Sequence, residues 1–379
     1  MMLTVLAIFS LACAAIPAMM FMANRKLFVV PTSLEPEDSS DREQVDSVSV
    51  LIPARNEASG IEAAVRSILA SKRVTVEVIV LDDNSDDRTA EIVSDIASTD
   101  PRVYLVKGVS LPSGWNGKQH ACYQLSKAAH YSHFVFIDAD VRLQSDALAR
   151  FLKYHEKSQV ALLSVFPHQE TETWLEKWMI PLMHFILLGF LPMKRMRQSV
   201  SPAYAAGCGQ LFLTSRNHYE QAGTHAAIRE SRHDGLKLPR AYRMAGLATD
   251  CIDGTGLADC RMYRSAKEVV RGLLKNAIEG LANPKLIPIF TVLLLGGSVL
   301  PLGTMIASLS SQRWGTALIS GLAIVLFHLP RLLAAIQFRQ SFLGVLCHLP
   351  SVVFFVFLQW LALLNHVSGR RTPWRGRLG

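Results

Sequence analysis

The stretch His133-Phe134-Val135-Phe136-Ile137-Asp138-Ala139-Asp140 joins an apolar run to two carboxylates that a single alanine separates. Aromatic and β-branched residues such as those of 134–137 are typical of a buried strand in a parallel sheet. Ligands of open α/β sheets bind beyond the carboxyl ends of such strands. The sequence therefore predicts a ligand site beside Asp138 and Asp140, and two carboxylates suit Mg²⁺ or Mn²⁺ shared with substrate phosphates.

The residues that lead up to this stretch alternate between strand and helix patterns. The predicted strands cover residues 48–52, 76–81, 103–107 and 134–137, and the predicted helices cover 61–70, 89–98 and 118–129. Such alternation indicates right-handed βαβ units and a mostly parallel sheet. The expected fold class is therefore α/β.

A second predicted strand also ends in acidic residues. Asp82 and Asp83 follow the strand at 76–81 just as Asp138 follows its own strand. Both acidic ends should open on the same crevice, because the carboxyl ends of parallel strands lie at one edge of the sheet. The sequence contains neither a GxGxxG nor a P-loop motif, so a glycine-rich turn is not expected to hold phosphate. A metal-bridged diphosphate is the alternative chemistry.

Apolar residues concentrate at the two ends of the 379-residue chain. Residues 3–22 are long enough to cross a bilayer, and the basic residues Arg25 and Lys26 follow them, which favours an uncleaved anchor with the next segment in the cytoplasm. Further spans are expected at about 286–309, 315–336 and 342–364. The predicted domains are an anchor at 1–24, a linker at 25–46, a catalytic domain at 47–282, and a membrane region with a basic tail at 283–379.

The number of spans and the distribution of charge disagree about the C-terminus. One anchor and three later spans place it outside, whereas the arginines of 370–377 favour the cytoplasm. A re-entrant hairpin within 286–336, or a basic tail tolerated outside, would reconcile the two. The α/β domain between the apolar segments is expected in the cytoplasm, on the side that Arg25 and Lys26 favour.

Charge and cysteine content exclude some classes of protein. The net charge is +8, with basic residues gathered beside the apolar segments, which indicates contact with anionic lipid head groups rather than nucleic acid. The six cysteines are scattered and form no CxxC pair, so neither a disulfide framework nor a zinc site is expected.

Three motifs together resemble those of a known family. Val50-Leu-Ile-Pro-Ala-Arg-Asn-Glu57, Val80-Leu-Asp-Asp-Asn-Ser-Asp86 and Ile137-Asp-Ala-Asp140 are similar, in order and separation, to the signature of the family 2 glycosyltransferases of GT-A fold. The resemblance covers about residues 46–282. It implies a GT-A domain, a nucleotide-diphospho-sugar donor, most simply a UDP-sugar, and an inverting transfer.

The resemblance also implies roles for the residues that match. Pro53, Ala54, Arg55 and Glu57 match the family's first nucleotide-contacting loop. Asp82 and Asp83 match the pair of residues that holds the uracil or ribose. Asp138 and Asp140 match the pair that binds a divalent metal, Mg²⁺ or Mn²⁺, on the donor diphosphate. Lys118 follows Gly117 as in the family's Gly-Lys pair near the nucleotide. The alternative for Lys118 is an exposed residue that opens a helix.

An inverting transfer needs a base for the acceptor hydroxyl, and the family places an aspartate some ninety to a hundred residues after the metal-binding pair. The matching residue is Asp234, which precedes a helix ending near Gly246. His233 stands where the family usually has an acidic residue. Either Asp234 or His233 is therefore the candidate base, and His233 as a hydrogen-bond donor to the leaving phosphate is a third possibility.

The expected acceptor is a membrane lipid. Residues 174–193 and 265–281 have the pattern of amphipathic helices with basic edges, which suits helices lying at the bilayer surface, although packing on the domain core is the alternative. Trp115-Asn-Gly-Lys118 and Gly207-Cys-Gly209 are similar to segments of hopanoid- and carotenoid-pathway glycosyltransferases. The stretch shortly after Asp234, which reads Leu-Pro-Arg-Ala-Tyr-Arg, has no Arg-Trp motif like that of processive synthases, which favours transfer of a single sugar.

The predicted protein is a multi-pass cell-membrane glycosyltransferase that moves one sugar to the hydroxyl of a lipid such as a hopanoid, carotenoid, glycerolipid or sphingolipid. Transfer to a polyprenyl phosphate is one alternative. A membrane scaffold or transporter with an inactive transferase domain is another, and the intact carboxylates at the two strand ends argue against it.

Overall fold

The computed structural model describes residues 1–34 and 46–369. Residues 35–45 of the linker predicted at 25–46, and the basic tail at 370–379, lie outside the described residues. The chain separates into two compact units. The first consists of residues 1–27, 171–193 and 263–379, and the second consists of residues 28–170 and 194–262.

The described residues form ten strands and fifteen α-helices. The strands are β1 (Ser47–Ala54), β2 (Thr75–Asp82), β3 (Val103–Lys107), β4 (His133–Ile137), β5 (Val141–Leu143), β6 (Leu162–Phe166), β7 (His168–Gln169), β8 (Leu211–Ser215), β9 (Thr249–Asp253) and β10 (Ala258–Cys260). The helices are α1 (Met2–Asn24), α2 (Ile61–Leu69), α3 (Thr89–Thr99), α4 (Gly117–Ala128), α5 (Ala147–Ser158), α6 (Trp174–Met179), α7 (Leu182–Phe190), α8 (Met193–Gln198), α9 (Arg216–Gln221), α10 (Asp234–Met244), α11 (Ala266–Ala277), α12 (Ile287–Ser310), α13 (Trp314–Gln337), α14 (Leu343–Leu346) and α15 (His348–Val367).

The second unit is built on a seven-stranded sheet of order β3-β2-β1-β4-β8-β6-β9. Every neighbouring pair is parallel except the two that β8 makes with β4 and β6. A small sheet of order β5-β10-β7 lies beside it. The α/β class, the mostly parallel sheet and the four strands and three helices predicted up to residue 137 are confirmed, with bounds shifted by one or two residues.

Helices cover both faces of the large sheet, because side chains of a buried strand alternate between its faces. Val48, Val50 and Ile52 of β1 pack with α2, α3 and α5 on one face. Leu51 of the same strand packs with α4, α9 and α10 on the other. Two faces buried in this way hold the strand ends rigidly in register, which fixes where the acidic loops after them emerge.

The first unit contains the long apolar helices. Four helices are long and apolar enough to cross a membrane, namely α1, α12, α13 and α15. They match the four predicted spans in order, and α13 continues as one helix past Pro330 and Arg331.

The segments predicted as helices at the bilayer surface differ from expectation in two ways. Residues 174–193 form two helices rather than one, since Pro181 has no N–H to continue α6 and instead precedes α7. In addition, this segment and residues 263–282 belong to the first compact unit, whereas the sequence predicted one continuous domain at 47–282. There α7 packs on α1 and α13, and α11 packs on α15.

A buried carboxylate ties β1 and β2 to the loop before β4. Glu77 is 4% exposed and accepts hydrogen bonds from the Ser49 hydroxyl and from the His130 backbone N–H, the latter at 2.7 Å. The His130 ring lies 2.6 Å away. Burial works against the ionised form, yet the hydrogen bonds from Ser49 and His130 outweigh it, so the pKa of Glu77 is lowered.

We expect Glu77→Gln to lower the free energy of unfolding at pH 7 by about 1–3 kcal/mol, because it removes a charged acceptor from buried donors. The stability that a lowered pKa contributes is fully present above the unfolded-state pKa, near 4.3, and is lost as the pH falls towards the folded-state pKa, so the difference from wild type should shrink as the pH falls below about 5. Thermal unfolding of the purified protein in detergent at pH 7 and pH 4 measures both effects. Glu62→Gln is the matched control, because Glu62 forms only an exposed pair with Arg66 and should change stability by less than about 1 kcal/mol. Equal behaviour of the two variants would show that the Glu77 network does not stabilise the sheet.

Candidate active site

The acidic residues predicted from the sequence lie at one edge of the large sheet. Asp82 is the last residue of β2, and Asp138 follows β4, with β1 between the two strands. A tight turn carries the chain from Asp138 into β5, closed by the bond from the Val141 N–H to the Asp138 carbonyl at 3.1 Å. The Asp138 N–H donates to the carbonyl of Gln210 at 2.9 Å, so the turn is fixed to the segment before β8.

The predicted nucleotide loop is held against the second acidic loop. Pro53 and Ala54 are the last residues of β1, and the Ala54 carbonyl accepts from the Asp83 N–H at 2.8 Å. The Arg55 guanidinium donates to the Asp83 carbonyl at 2.7 Å. Asn56 has a φ of +56° and its amide oxygen accepts from the Asp86 N–H at 2.8 Å. The structure thus brings residues 53–57 beside Asp82 and Asp83, both of which are buried.

Asp140 is a carboxylate in an unfavourable place for a negative charge. One of its oxygens, Oδ1, is buried and has no hydrogen-bond partner within the described residues. Burial, followed by the nearby charges of Asp138 and Glu57, raises the pKa of Asp140 to about 7. A cation bound between Asp138 and Asp140 would relieve both the burial penalty and the repulsion.

Lys118 connects the two halves of the site. Its Nζ lies 2.6 Å from Asp138 Oδ1 and 2.8 Å from Asp234 Oδ2, and it donates to the Gly209 carbonyl at 3.1 Å. Burial opposes the charged ammonium, but Asp138 and Asp234 together outweigh it, so the pKa of Lys118 is raised well above its usual value. The alternative of an exposed residue that only opens a helix does not fit these contacts.

Two local features position Lys118. It is the second residue of α4, whose N-cap Asn116 accepts from the Lys118 N–H at 3.1 Å. The Asn116 N–H in turn donates to the Arg229 carbonyl at 2.6 Å, and Gln119 donates to the Ser231 carbonyl at 3.3 Å. The start of α4 is therefore fastened to the segment that leads into α10, where Asp234 lies.

Asp234 sits in a space that two glycines make. It is the first residue of α10, and one of its oxygens accepts from the Gly235 N–H at 2.8 Å. A Cβ on Gly209 would lie 2.0 Å from Asp234 Oδ1, and a Cβ on Gly235 would lie 2.7 Å from the Gly207 carbonyl oxygen. The absence of side chains at these glycines lets the 207–209 segment approach the carboxylate directly.

His233 is half-buried and directly precedes α10, and its N–H donates to the Ser231 hydroxyl at 3.0 Å. The structure therefore keeps both candidate bases at the same corner. Of the two, Asp234 is the one that shares the Lys118 ammonium with the metal-site candidate Asp138.

One residue beside the 207–209 segment, Gln210, was not among those predicted from the sequence to belong to the site. Gln210 is buried, donates to Cys260 Sγ at 2.9 Å and accepts from Gln169 at 2.7 Å. Cys208 donates to Gln210 at 3.2 Å, and burial raises the pKa of the Cys208 thiol to about 12, which keeps it protonated. The Gly-Cys-Gly and Asp-Gly pairs at 207–209 and 234–235 carried a signal of close backbone approach, whereas nothing local marked Gln210.

Within the described residues, no group of three or more histidine, cysteine, aspartate or glutamate side chains is arranged to hold a metal. The two carboxylates of Asp138 and Asp140 nonetheless fit a hard cation of the Mg²⁺ type, which takes one or two protein carboxylates and completes its shell with water and substrate phosphates. The unpartnered oxygen of Asp140 is the observation that favours this fit.

Comparison with known proteins agrees with the fold. Residues 49–223 match the model of glycosyl transferase family 2. The 4,4'-diaponeurosporenoate glycosyltransferase of Staphylococcus aureus strain USA300 is 27% identical over 307 residues, which cover 79% of this chain and 76% of the relative. The protein of that name from Staphylococcus haemolyticus is 27% identical over 244 residues, 64% of each chain.

A solved mannosyltransferase from Pyrobaculum calidifontis, in complex with GDP-Man and Mn²⁺, superposes with a TM-score of 0.56 at 19% identity and covers 96% of this chain and 99% of its own. At this identity the likeness concerns the fold.

The fold and these matches together indicate a glycosyltransferase with a GT-A sheet, the class that uses a nucleotide-sugar donor and an acceptor. Residues 49–223 match glycosyl transferase family 2, and the resemblance drawn from the three motifs, including that to carotenoid-pathway enzymes, is confirmed. The roles of individual residues stay predictions.

We expect Gly209→Ala to lower kcat by about 10²-fold or more, because the new methyl group must displace the Asp234 carboxylate and a misplacement of about 1 Å can cost that much. Transfer kinetics of the purified variant measure the effect. Gly321→Ala is the control, since a Cβ there meets nothing within 4 Å, and it should keep wild-type activity. Full activity of Gly209→Ala would mean that the position of Asp234 is unimportant for transfer.

Proposed function

We propose that this protein transfers a single sugar from a nucleotide-diphospho-sugar, most simply a UDP-sugar, to a hydroxyl group of a membrane lipid, with inversion. The observation that carries the proposal is the Lys118 ammonium, which lies within 2.8 Å of both Asp138 and Asp234. This one contact joins the carboxylates expected at the donor diphosphate to the carboxylate expected at the acceptor. Donor and acceptor chemistry would then take place side by side.

The donor side is supported by the acidic edge of the sheet. Asp138 and Asp140 would hold Mg²⁺ or Mn²⁺, which when bound supplies positive charge for the departing diphosphate. Residues 53–57, with Asp82 and Asp83, would contact the nucleoside. The similarly folded mannosyltransferase was solved with GDP-Man and Mn²⁺, which supports a nucleotide sugar and a divalent metal here but leaves the base and sugar open.

The acceptor side is supported by the composition of the first unit. Its four long apolar helices suit a multi-pass cell-membrane protein, and a cytoplasmic catalytic domain follows from where nucleotide sugars occur. The curated relatives are named for glycosylation of 4,4'-diaponeurosporenoate. An isoprenoid, hopanoid or other membrane lipid is therefore the acceptor class that we propose.

The chain's own residues divide the work of transfer. Asp234 would orient the acceptor hydroxyl and take its proton, with proton transfer worth roughly 10²–10⁴-fold in rate. Lys118 would hold Asp234 in place, and its positive charge would also face the diphosphate. Gly207 and Gly209 leave the space through which the backbone approaches Asp234.

A second candidate is transfer to an acceptor that is already ionised, a carboxylate or a polyprenyl phosphate. The observation that favours it is the same ion pair, because an ammonium 2.8 Å from Asp234 stabilises the ionised carboxylate and so makes it a weaker base. An ionised acceptor needs no base. In that case Lys118 and Asp234 would serve to orient the acceptor and the diphosphate.

We expect membranes that contain the wild-type protein to transfer label from a UDP-sugar to lipid, because the metal-site carboxylates are intact. Asp138→Ala, Asp140→Ala and treatment with EDTA should each abolish transfer, since the diphosphate loses its counter-charge. Labelled lipids, extracted and analysed by mass spectrometry, identify the sugar and the acceptor together. Glu62→Gln is an active control on the exposed surface. Full transfer in EDTA would refute the metal site, and absence of any lipid product with the common nucleotide sugars would favour the inactive scaffold.

We expect Asp234→Asn to lower kcat by about 10²–10⁴-fold with donor binding nearly unchanged if Asp234 is the base, because the amide keeps the shape but not the basicity. If His233 is the base, His233→Gln should show that loss of kcat. The activity of the wild type should then fall as the pH drops below the pKa of that histidine. If the acceptor is ionised, neither change should cost more than about tenfold. Steady-state kinetics of both variants across pH separate the three cases, and near-wild-type kcat for Asp234→Asn on a hydroxyl acceptor would exclude the mechanism that we favour.

A further inference from the structure

The first unit contains a buried cation that the transferase chemistry does not use. Arg331 lies in α13 directly after Pro330, and its side chain is 1% exposed. Charged side chains inside a helix of this length and apolarity are rare and mark functional sites when they occur. The question for Arg331 is therefore which group compensates its positive charge.

The protein supplies Arg331 with neutral partners. Its Nη1 donates to Gln340 Oε1 at 3.3 Å and its Nη2 to the Gly344 carbonyl at 3.0 Å. The third nitrogen, Nε, is buried and lacks an acceptor within the described residues. A guanidinium has five N–H donors, so these two acceptors satisfy only part of its hydrogen-bonding capacity. Because both acceptors are neutral, they do not compensate its positive charge.

Sequence composition rules out an acidic partner on the neighbouring C-terminal helices. After Glu279 the chain contains no aspartate or glutamate at all. On the segment that contains α6, Glu176 is already occupied, since its carboxylate accepts from the Glu172 N–H and the Thr173 hydroxyl. No ion pair of Arg331 occurs within residues 1–34 and 46–369, so no carboxylate there neutralises it.

A second buried polar side chain lies against the same helix. His348, the first residue of α15, is fully buried. Its ring centroid lies 4.9 Å from that of Phe327 and 5.3 Å from that of His328. Phe327 and His328 share a face of α13 with Arg331 through i, i+4 and i, i+3 spacing. The His348 ring is therefore placed beside the face of α13 that carries Arg331.

Gly344 makes room for the guanidinium. A Cβ at this position would lie 2.6 Å from Arg331 Nη2 and 2.6 Å from the Lys177 carbonyl oxygen. Three chain segments therefore close around the charge. A buried, unpaired cation costs several kcal/mol, and a bound anion is the direct way to recover that cost.

We propose that Arg331 and His348 bind the anionic head group, a carboxylate or phosphate, of an amphiphile that enters from the membrane. A guanidinium fork matches either oxyanion in a bidentate manner, and the polar ring of His348 lies beside the same face of α13. The apolar surfaces of α13 and α15 suit the chain of an amphiphile better than they suit a free ion in water. The inference goes beyond the proposed transfer and takes only the membrane location from it, because binding can be measured without turnover.

The test uses matched amphiphiles and the full-length protein in a neutral detergent. Dodecanoate and dodecyl phosphate should raise the thermal unfolding midpoint of the wild type at concentrations about thirtyfold lower than those of dodecanol that give the same shift. The alcohol has no charge to pair with Arg331, and loss of one member of a buried charge pair lowers affinity by at least about thirtyfold. Arg331→Gln should abolish the difference between the acids and the alcohol, and Arg331→Lys should reduce it. Arg313→Gln, which changes an exposed arginine at the start of the same helix, should keep it.

Several outcomes would overturn the proposal. Equal response of the wild type to dodecanol and dodecanoate would mean that the head group is not recognised, and an undiminished difference in Arg331→Gln would mean that it binds elsewhere. An equal stabilisation by inorganic phosphate alone would assign the site to a free ion instead of an amphiphile. If Arg331→Gln fails to fold, mass spectrometry of lipids retained by the purified wild type and Arg331→Lys decides: a retained anionic amphiphile, reduced in the variant, supports the site, and its absence from the wild type refutes it.

Discussion

The arrangement of the catalytic unit depends on the crowding of carboxylates at one edge of a parallel sheet. Because β1, β2 and β4 run in the same direction, the loops after them emerge together, and Asp82, Asp83 and Asp138 emerge with them. Such crowding is unfavourable without positive charge, as the raised pKa of Asp140 indicates. Lys118 supplies part of that charge in the protein itself. A divalent cation between Asp138 and Asp140 would supply the rest of the positive charge. The repulsion among the carboxylates is then the same feature that would bind the donor.

Backbone contact determines where the acceptor side of the site lies. Gly209 and Gly235 have no Cβ at positions where one would collide with Asp234 or with the facing backbone. The first turn of α10 can therefore rest on the 207–209 segment, and the bond from the Asp138 N–H to Gln210 joins that segment to the metal-site turn. A chain of short contacts runs from the strand end to Asp234. It explains how residues nearly a hundred positions apart keep a fixed separation.

Much of the catalytic unit could be predicted from sequence because its signals are local. Apolar runs, acidic strand ends and short helices identified the alternating half of the sheet up to residue 137, and the three motifs identified the family. The later half was harder. β8 runs antiparallel to both neighbours, and no local pattern predicted β9, whose buried residues pair with β6. The contacts of Lys118 with Asp234 and of Gln210 with Cys260 join residues distant in sequence, so no spacing rule could reveal them.

Lys118 and Arg331 illustrate opposite ways to bury a cation. Lys118 has two carboxylates within 2.8 Å, so its charge is compensated by the protein. Under the proposed function, a metal on Asp138 and the ammonium of Lys118 carry the same sign and compete for the same carboxylate. Donor binding would therefore weaken the contact of Lys118 with Asp138 and leave its charge to Asp234 and the diphosphate. Lys118 would thereby couple the state of the donor site to the position of the candidate base. Arg331 has only neutral hydrogen-bond partners within the described residues, and we propose that a bound anion supplies its counter-charge.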